Sequence, residues 1–383
     1  MSKRIIVVGA GAWGGWTAYH LQKSGCEVTL IDKQGPGNPW AGSGGKSRII
    51  RLAYGGNKDY TDLTEESLKL WKHYSESWEE DLFHQKEALW LFREVPPTYA
   101  ELSIPLMEKR GYCLAKEPIE SLKERYPEIN FSDITSAFIE PEAGYLEANR
   151  ACEVVKDRFE HLGGKYIQAN VIKLLQTDDQ VEGVILDSGE KLSADYTILA
   201  CGPWLSELVP AIRPYIHISR QEVYYFKAPS HFYNLPIWLE FRAADQMFYG
   251  IPDHFKEGFK FAYDERTWAL DLNKDERGVT KEILHHMRKV LKNRFPELTN
   301  AEVLKHHTCV YENSRDGDFI IDKIPGCKKA IILAGSSGHG FKMGPAIGKL
   351  IADHVLEDKP IPSSLSLARF TKNAPRKSQY EVN

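Results

Sequence analysis

Apolar residues open the chain in an unbroken run, Ile5-Ile6-Val7-Val8, that stops at a glycine. A run of this kind predicts a strand buried on both faces of a parallel sheet. Gly9-Ala10-Gly11-Ala12-Trp13-Gly14 follows, residues 16–24 carry helical periodicity, Gly25 ends it, and Glu27-Val28-Thr29-Leu30-Ile31 reads as a second strand. Together they make a β-α-β unit. Two later runs, 196–200 before Cys201-Gly202-Pro203 and 330–334 before Gly335, repeat the pattern of apolar residues halted at glycine. They are assigned to the same sheet.

Between these runs the periodicity shifts. Residues 60–78 carry Leu63, Leu68, Leu70 and Trp71 as a surface helix would, 147–162 is a second helix candidate closed by Gly163-Gly164, and 166–176, 181–187 and 191–193 read as β. From about 213 to 311 alternating strands such as Glu222-Val223-Tyr224-Tyr225-Phe226 predominate, with one helix near 281–295. That predicts a mainly antiparallel region. A last helix, 345–356, has proline in its first turn. The expected fold is α/β plus α+β. A Rossmann-type dinucleotide domain is assembled from 1–80, 145–212 and 312–383, and a mainly antiparallel substrate domain, 81–144 and 213–311, is inserted into it.

Composition narrows the function classes. The length of 383 residues suits two domains of roughly 100 to 200 residues each. With 49 Lys plus Arg against 53 Asp plus Glu, the chain has no bulk attraction for nucleic acid or an anionic membrane. Its six cysteines lie apart without a Cys-x-x-Cys pair, so neither a zinc site nor a dense disulfide framework is expected. No run approaches the roughly 18 to 20 apolar residues of a membrane span, and Met1-Ser2-Lys3-Arg4 leads directly into a strand, so a cytoplasmic location is expected.

Gly9-x-Gly11-x-x-Gly14 joins a strand to a helix, and Asp32 ends the next strand roughly 20 residues on, as in the dinucleotide fingerprint. Gly9 allows the tight turn, Gly11 lets a pyrophosphate approach and Gly14 packs helix on strand. The helix N-terminus favours phosphate, and Asp32 is placed to accept from ribose hydroxyls. The motif admits FAD and NAD alike. Interruption of the sheet, resumed near 166, 196 and 330, favours FAD, which lies extended across several segments.

Segments 9–14, 43–55, 200–204, 308–322 and 335–342 together resemble the family of monomeric sarcosine oxidase and N-methyltryptophan oxidase, within the D-amino-acid-oxidase-like FAD enzymes. The likeness spans nearly the whole chain and is weakest between about 80 and 145. It implies FAD held by Gly9, Gly11, Gly14, Asp32, Lys33, Ser43, Val171, Gly338, Gly340 and Lys342. In Thr308-Cys309-Val310-Tyr311, followed by Asp318-Phe319-Ile320-Ile321-Asp322, it implies a covalent thioether from Cys309 to the flavin. Such a bond needs a thiolate, which nearby cations favour, and strand alternation brings only one of His306 and His307 to the cysteine's face. Without the resemblance, a buried strand cysteine is the preferred reading.

In Gly335-Ser336-Ser337-Gly338-His339-Gly340-Phe341-Lys342, glycines would let backbone N–H groups reach a planar ring, and the resemblance gives Lys342 the substrate carboxylate. In Ser47-Arg48-Ile49-Ile50-Arg51 it pairs Arg51 with the same carboxylate and sets Arg48 near the flavin, although the pattern alone also fits a solvent-facing strand edge. In Gly258-Phe259-Lys260-Phe261 it makes Lys260 the cation that promotes reaction with oxygen. Tyr249 and Tyr311 would line the substrate pocket. The sequence departs from the family where segment 43–47 is short, where Gly44 stands for a histidine, and where Asp264 replaces another. The accepted side chain therefore stays open.

The implied activity is FAD-dependent oxidation, by O2, of the C–N bond in amino acids bearing a secondary amine. An imine and H2O2 would result, from a monomer or weak oligomer whose partners are the amino acid and O2. Alternatives are an oxidase or dehydrogenase of a cyclic or primary amino acid such as pipecolate, a flavin monooxygenase, and a non-catalytic flavin protein.

Overall fold

The computed structural model describes residues 2–370 and 380, apart from 178–179, 244–245, 254, 265–268, 273 and 275–277. Its first sheet has six strands in the order Ile320–Lys323, Ala330–Ala334, Tyr196–Leu199, Arg4–Val8, Glu27–Asp32 and Lys165–Gln168. All neighbours are parallel except the edge strand Ile320–Lys323. Arg4–Val8 and Ala330–Ala334, two of the runs that stop at glycine, are interior strands with apolar side chains buried on both faces.

The first helix is Ala12–Lys23, so it begins a turn before the periodicity of 16–24 suggests. Gly14 and Gly15 supply no apolar signal but lie inside this helix, where Ala12 and Trp13 are already buried. Helix Gly344–Glu357 crosses it closely enough that a Cβ on Gly348 would lie 2.5 Å from the Trp16 carbonyl carbon. Helix Lys58–Trp78 completes this layer, N-capped by Asn57, which accepts from the Tyr60 N–H. The β segment read as 166–176 divides. Lys165–Gln168 joins the parallel sheet, and Val171–Gln176 pairs antiparallel with Val181–Leu186 in a separate three-stranded sheet.

The largest sheet has eight strands, ordered Val303–Ser314, Ile216–Phe226, Phe259–Asp264, Gln246–Ile251, Ile237–Ala243, Ala88–Phe92, Ser136–Glu140 and Ala115–Lys116. Only Ile237–Ala243 and Ala88–Phe92 run parallel. Alternation sorts its two faces: Tyr224, Phe226, Phe259 and Phe261 pack under helix Lys281–Arg294, while Val223, Tyr225, Ala262, Cys309 and Tyr311 form a second cluster. Arg294, fully buried at the end of that helix, is paired with Glu240 and Asp133. A small sheet, Ser47–Ile50, Gly144–Glu147 and Phe83–Gln85, completes the strand set among the described residues.

Candidate active site

The end of the parallel sheet opens into a cavity of about 350 Å³. Gly9, Gly11, Asp32, Lys33, Ser43, Val171 and Gly202 line it at the glycine turn, and Val310, Glu312, Ser336 and Phe341 line it toward the eight-stranded sheet. The turn is built without spare room. Gly9 has φ +104°, and a Cβ there would stand 2.2 Å from the Ala200 carbonyl oxygen; one on Gly14 would stand 1.8 Å from the Gly9 oxygen. Ser43 Oγ accepts from the Ala12 N–H at 3.0 Å. The Asp32 carboxylate accepts three backbone N–H groups, from Ala10 at 2.7 Å and from Gln34 and Gly35 at 2.8 Å. Of its roughly four acceptor sites, one is left for a ribose hydroxyl.

Beyond Phe341 lies a second cavity of about 50 Å³, lined by Arg48, Arg51, Tyr249, Lys260, Asp264, Tyr311, Gly338, Lys342 and Tyr380. Seven separated stretches of sequence, Leu239 being one, meet here. Arg51 and Lys342, far from the solvent-facing positions that pattern alone allowed, are 2% and 6% exposed. Lys342 Nζ donates to Tyr54 Oη at 3.2 Å and to the His339 carbonyl at 3.1 Å. Burial, and then the Arg51 charge, hold its ammonium well below the usual lysine range. Lys260 is also buried, on the strand face opposite Phe259 and Phe261. Its Nζ donates to the Ser47 carbonyl at 2.9 Å, and burial, then Arg48, bring it down to about 7.

Cys309 lies beside this pocket on strand Val303–Ser314. Arg48 donates to the carbonyls of Ser47 at 2.9 Å and Gly42 at 3.0 Å, to that of Gly44, and reaches Cys309 Sγ at 3.9 Å. Burial opposes ionisation of the thiol, but His307, Arg48 and Lys260 outweigh it and bring Cys309 down to about 6. His307, two residues away on the strand, is the histidine that alternation brings to the thiol. Gly44 takes no side chain here, since a Cβ would meet the Asn38 carbonyl oxygen at 2.5 Å.

The sequence profile of FAD dependent oxidoreductases matches residues 4–354. The chain belongs to that family. N-methyl-L-tryptophan oxidase of Salmonella heidelberg (strain SL476) is 27% identical over 369 residues, covering 94% of this chain and 96% of that one. Monomeric sarcosine oxidase of Bacillus sp. (strain B-0618) is 26% identical over 365 residues, covering 93% and 92%. The crystal structure of L-proline dehydrogenase from P. horikoshii superposes with a TM-score of 0.82 at 22% identity, covering 95% of this chain and 96% of that one, a likeness of fold.

FAD fits what the cavity offers: a glycine cradle closed to any Cβ, an acidic residue at the end of the second strand, and a floor continuing to Ser336 and Phe341. Some expectations change. Gly340 lines neither cavity; a Cβ there would meet the Trp13 ring at 2.6 Å, and Gly338 is pressed against the Tyr311 ring at 2.5 Å. These glycines admit two aromatic rings. The loop's amides are also largely engaged: Gly335 N–H bonds Glu312 Oε2, Ser337 N–H bonds the Glu312 carbonyl, and His339 and Gly340 N–H bond the Ser336 carbonyl. Sequence reasoning missed Glu312, 2% exposed and raised to about 8 by burial, which lines the FAD cavity. Its signal was alternation, which turns it away from Tyr311. It also missed Tyr380, for which no motif exists.

Proposed function

We propose that this FAD-dependent oxidoreductase is an oxidase of amino acids with a secondary amine, of the sarcosine or N-methyl amino acid type. The observation that carries the reading is the pairing of Arg51 and Lys342 in one buried cavity next to the FAD cavity, lined also by Lys260 and by Arg48, which reaches Cys309. Two fixed cations are what a carboxylate needs in a dry site. The relatives named for N-methyltryptophan and sarcosine oxidation support the same reading.

Gly9, Gly11, Asp32, Lys33, Ser43 and Val171 would hold the dinucleotide. When bound, FAD supplies the two-electron redox chemistry. Arg51 and Lys342 would hold the substrate carboxylate, while Tyr249 and Tyr311 exclude water and orient the amine-bearing carbon. Substrate leaves as an imine that water hydrolyses. Lys260, fixed by the Ser47 carbonyl, would stabilise negative charge as O2 is reduced to H2O2. Arg48 and His307 would keep Cys309 as a thiolate, the form that attachment of FAD through a thioether would require. The six cysteines form no disulfide, which supports a cytosolic location. Among the described residues no helix is long and apolar enough to cross a membrane.

The small volume of the second cavity, room for about four water-sized spheres, favours compact substrates such as sarcosine or a cyclic imino acid over bulky ones. Peroxide formation should be measured over N-methyl, cyclic and primary amino acids, and turnover of none would overturn the oxidase reading. Attachment is a separate question, settled by acid precipitation. Yellow colour is expected to stay with the denatured chain and to be released from Cys309→Ala; colour released from the parent enzyme would contradict the thioether.

A further inference from the structure

Tyr380 reaches the amino acid cavity from outside every sheet. The chain described before it ends at Phe370, whose ring lies against Tyr215 at 5.2 Å. Tyr380 is nevertheless buried and lines the second cavity together with Arg51, Lys260 and Lys342. Its ring packs edge-on against Tyr99 at 5.3 Å and Phe241 at 5.1 Å. The Arg51 guanidinium lies 5.5 Å from the Tyr380 ring centroid, with Tyr54 at 4.3 Å and Trp90 at 5.2 Å on its other sides. Arg51 Nη2 donates to the Tyr380 hydroxyl at 3.5 Å, and Nη1 donates to the Ala53 carbonyl.

A guanidinium carries five N–H donors in a fixed fork, best satisfied by a carboxylate. A neutral phenol at the outer limit of hydrogen-bond distance takes up one of those donors weakly, enough to orient Arg51 while other donors of the fork stay available to a carboxylate. The ring behind that hydroxyl also forms part of the wall of this compact cavity. We propose that Tyr380 is a positioning and specificity-determining residue of the substrate site: its hydroxyl orients Arg51 for the carboxylate, and its ring excludes bulky amino acids. The proposal rests on the oxidase reading given above for the same cavity.

The test uses the holoenzyme and its Tyr380→Phe, Tyr380→Leu and Tyr380→Ala variants. Anaerobic bleaching of the flavin is followed with sarcosine and with N-methyltryptophan, giving an apparent dissociation constant and a limiting rate for each. In Tyr380→Phe the dissociation constant for sarcosine is expected to rise roughly 3- to 10-fold, with the limiting rate within about 2-fold of the parent, since only the hydrogen bond to Arg51 is lost. In Tyr380→Ala the preference for N-methyltryptophan over sarcosine is expected to rise at least about 10-fold. Tyr380→Leu, which keeps apolar bulk, should fall between them. Unchanged dissociation constants and an unchanged preference would overturn the proposal, as would an equal loss of limiting rate with both substrates, which marks a structural role. Should the parent oxidise neither amino acid, the oxidase reading fails first. Acetate binding, read from the flavin spectrum, then tests Tyr380 alone, with weaker binding in Tyr380→Phe expected and equal binding overturning it.

Discussion

The two cavities are built from different materials. The FAD cavity begins at one short stretch of backbone, Gly9 to Gly14, closed at Asp32, where a Cβ on Gly9 or Gly14 would meet main chain. The amino acid cavity is made of side-chain ends from remote stretches, Arg51, Tyr249, Lys260, Tyr311, Lys342 and Tyr380 among them. A backbone site resists any added atom and is lenient about side chains. A side-chain site behaves in the opposite way.

The sharpest break of that contrast is at Gly14. A Cβ there meets main chain, the Gly9 oxygen at 1.8 Å and its carbonyl carbon at 2.9 Å, neither of which is the end of a flexible side chain. Gly14→Ala is therefore expected to cost at least about 3 kcal/mol, the upper part of the overpacking range, and to yield protein without yellow colour. Val171→Ala, on the wall of the same cavity, should keep its FAD. Absorbance of the two purified proteins near the flavin bands decides it, and a fully loaded Gly14→Ala would remove the argument for a backbone-built site.

The same contrast explains what was legible in the sequence. The glycine turn and the buried strands around it could be read because turn chemistry and apolar runs are local properties. The helix start at Ala12 was not, since glycines inside a first turn look like loop. In the second cavity, alternation along Phe259-Lys260-Phe261 put the lysine opposite two core rings but could not say that this opposite face is also buried. That depends on Ser47 arriving from another sheet. Asp264 reaches the pocket from the last position of the same strand. Tyr380 had neither a motif nor a periodicity, because the groups it packs against, Arg51 and the rings of Tyr99 and Phe241 among them, are remote in sequence.

Next in size is the effect expected at Lys260. Lys260→Met keeps much of the volume and removes the cation, so reduction by the amino acid should change little. Reaction of the reduced enzyme with O2 should slow by roughly 10²- to 10³-fold, the usual consequence of removing one fixed group that stabilises developing charge. Burial lowers this lysine to about 7, so its cation is present below that pH and is lost as pH rises through it. Negative charge on reduced FAD would move the inflection upward. The O2 rate constant is thus expected to fall with rising pH in the parent and to be flat and low in the variant. Stopped-flow reoxidation from pH 6 to 9, chosen to span about 7, measures both, and equal rates in the two proteins would place the oxygen site elsewhere.

The smallest effect tests the side-chain cavity most directly. Lys342 is buried beside Arg51, and burial together with the Arg51 charge holds its ammonium well below the usual lysine range, so the free enzyme favours the neutral amine far more than a solvated lysine would. A substrate carboxylate supplies the missing negative charge, and Lys342 should then take up a proton as the amino acid binds. Binding consequently weakens as pH rises, by up to one proton per substrate, and calorimetry in buffers of different ionisation enthalpy counts that proton. In Lys342→Met the proton uptake should vanish while Arg51 still binds the carboxylate. Losing one charged hydrogen bond of about 2 to 3 kcal/mol then lowers kcat/KM roughly 30- to 150-fold. Most of the loss is expected in KM, because the carboxylate is held alike before and during reaction. If proton uptake persists in Lys342→Met, the proton belongs to another group, and Arg51 alone would account for recognition of the carboxylate.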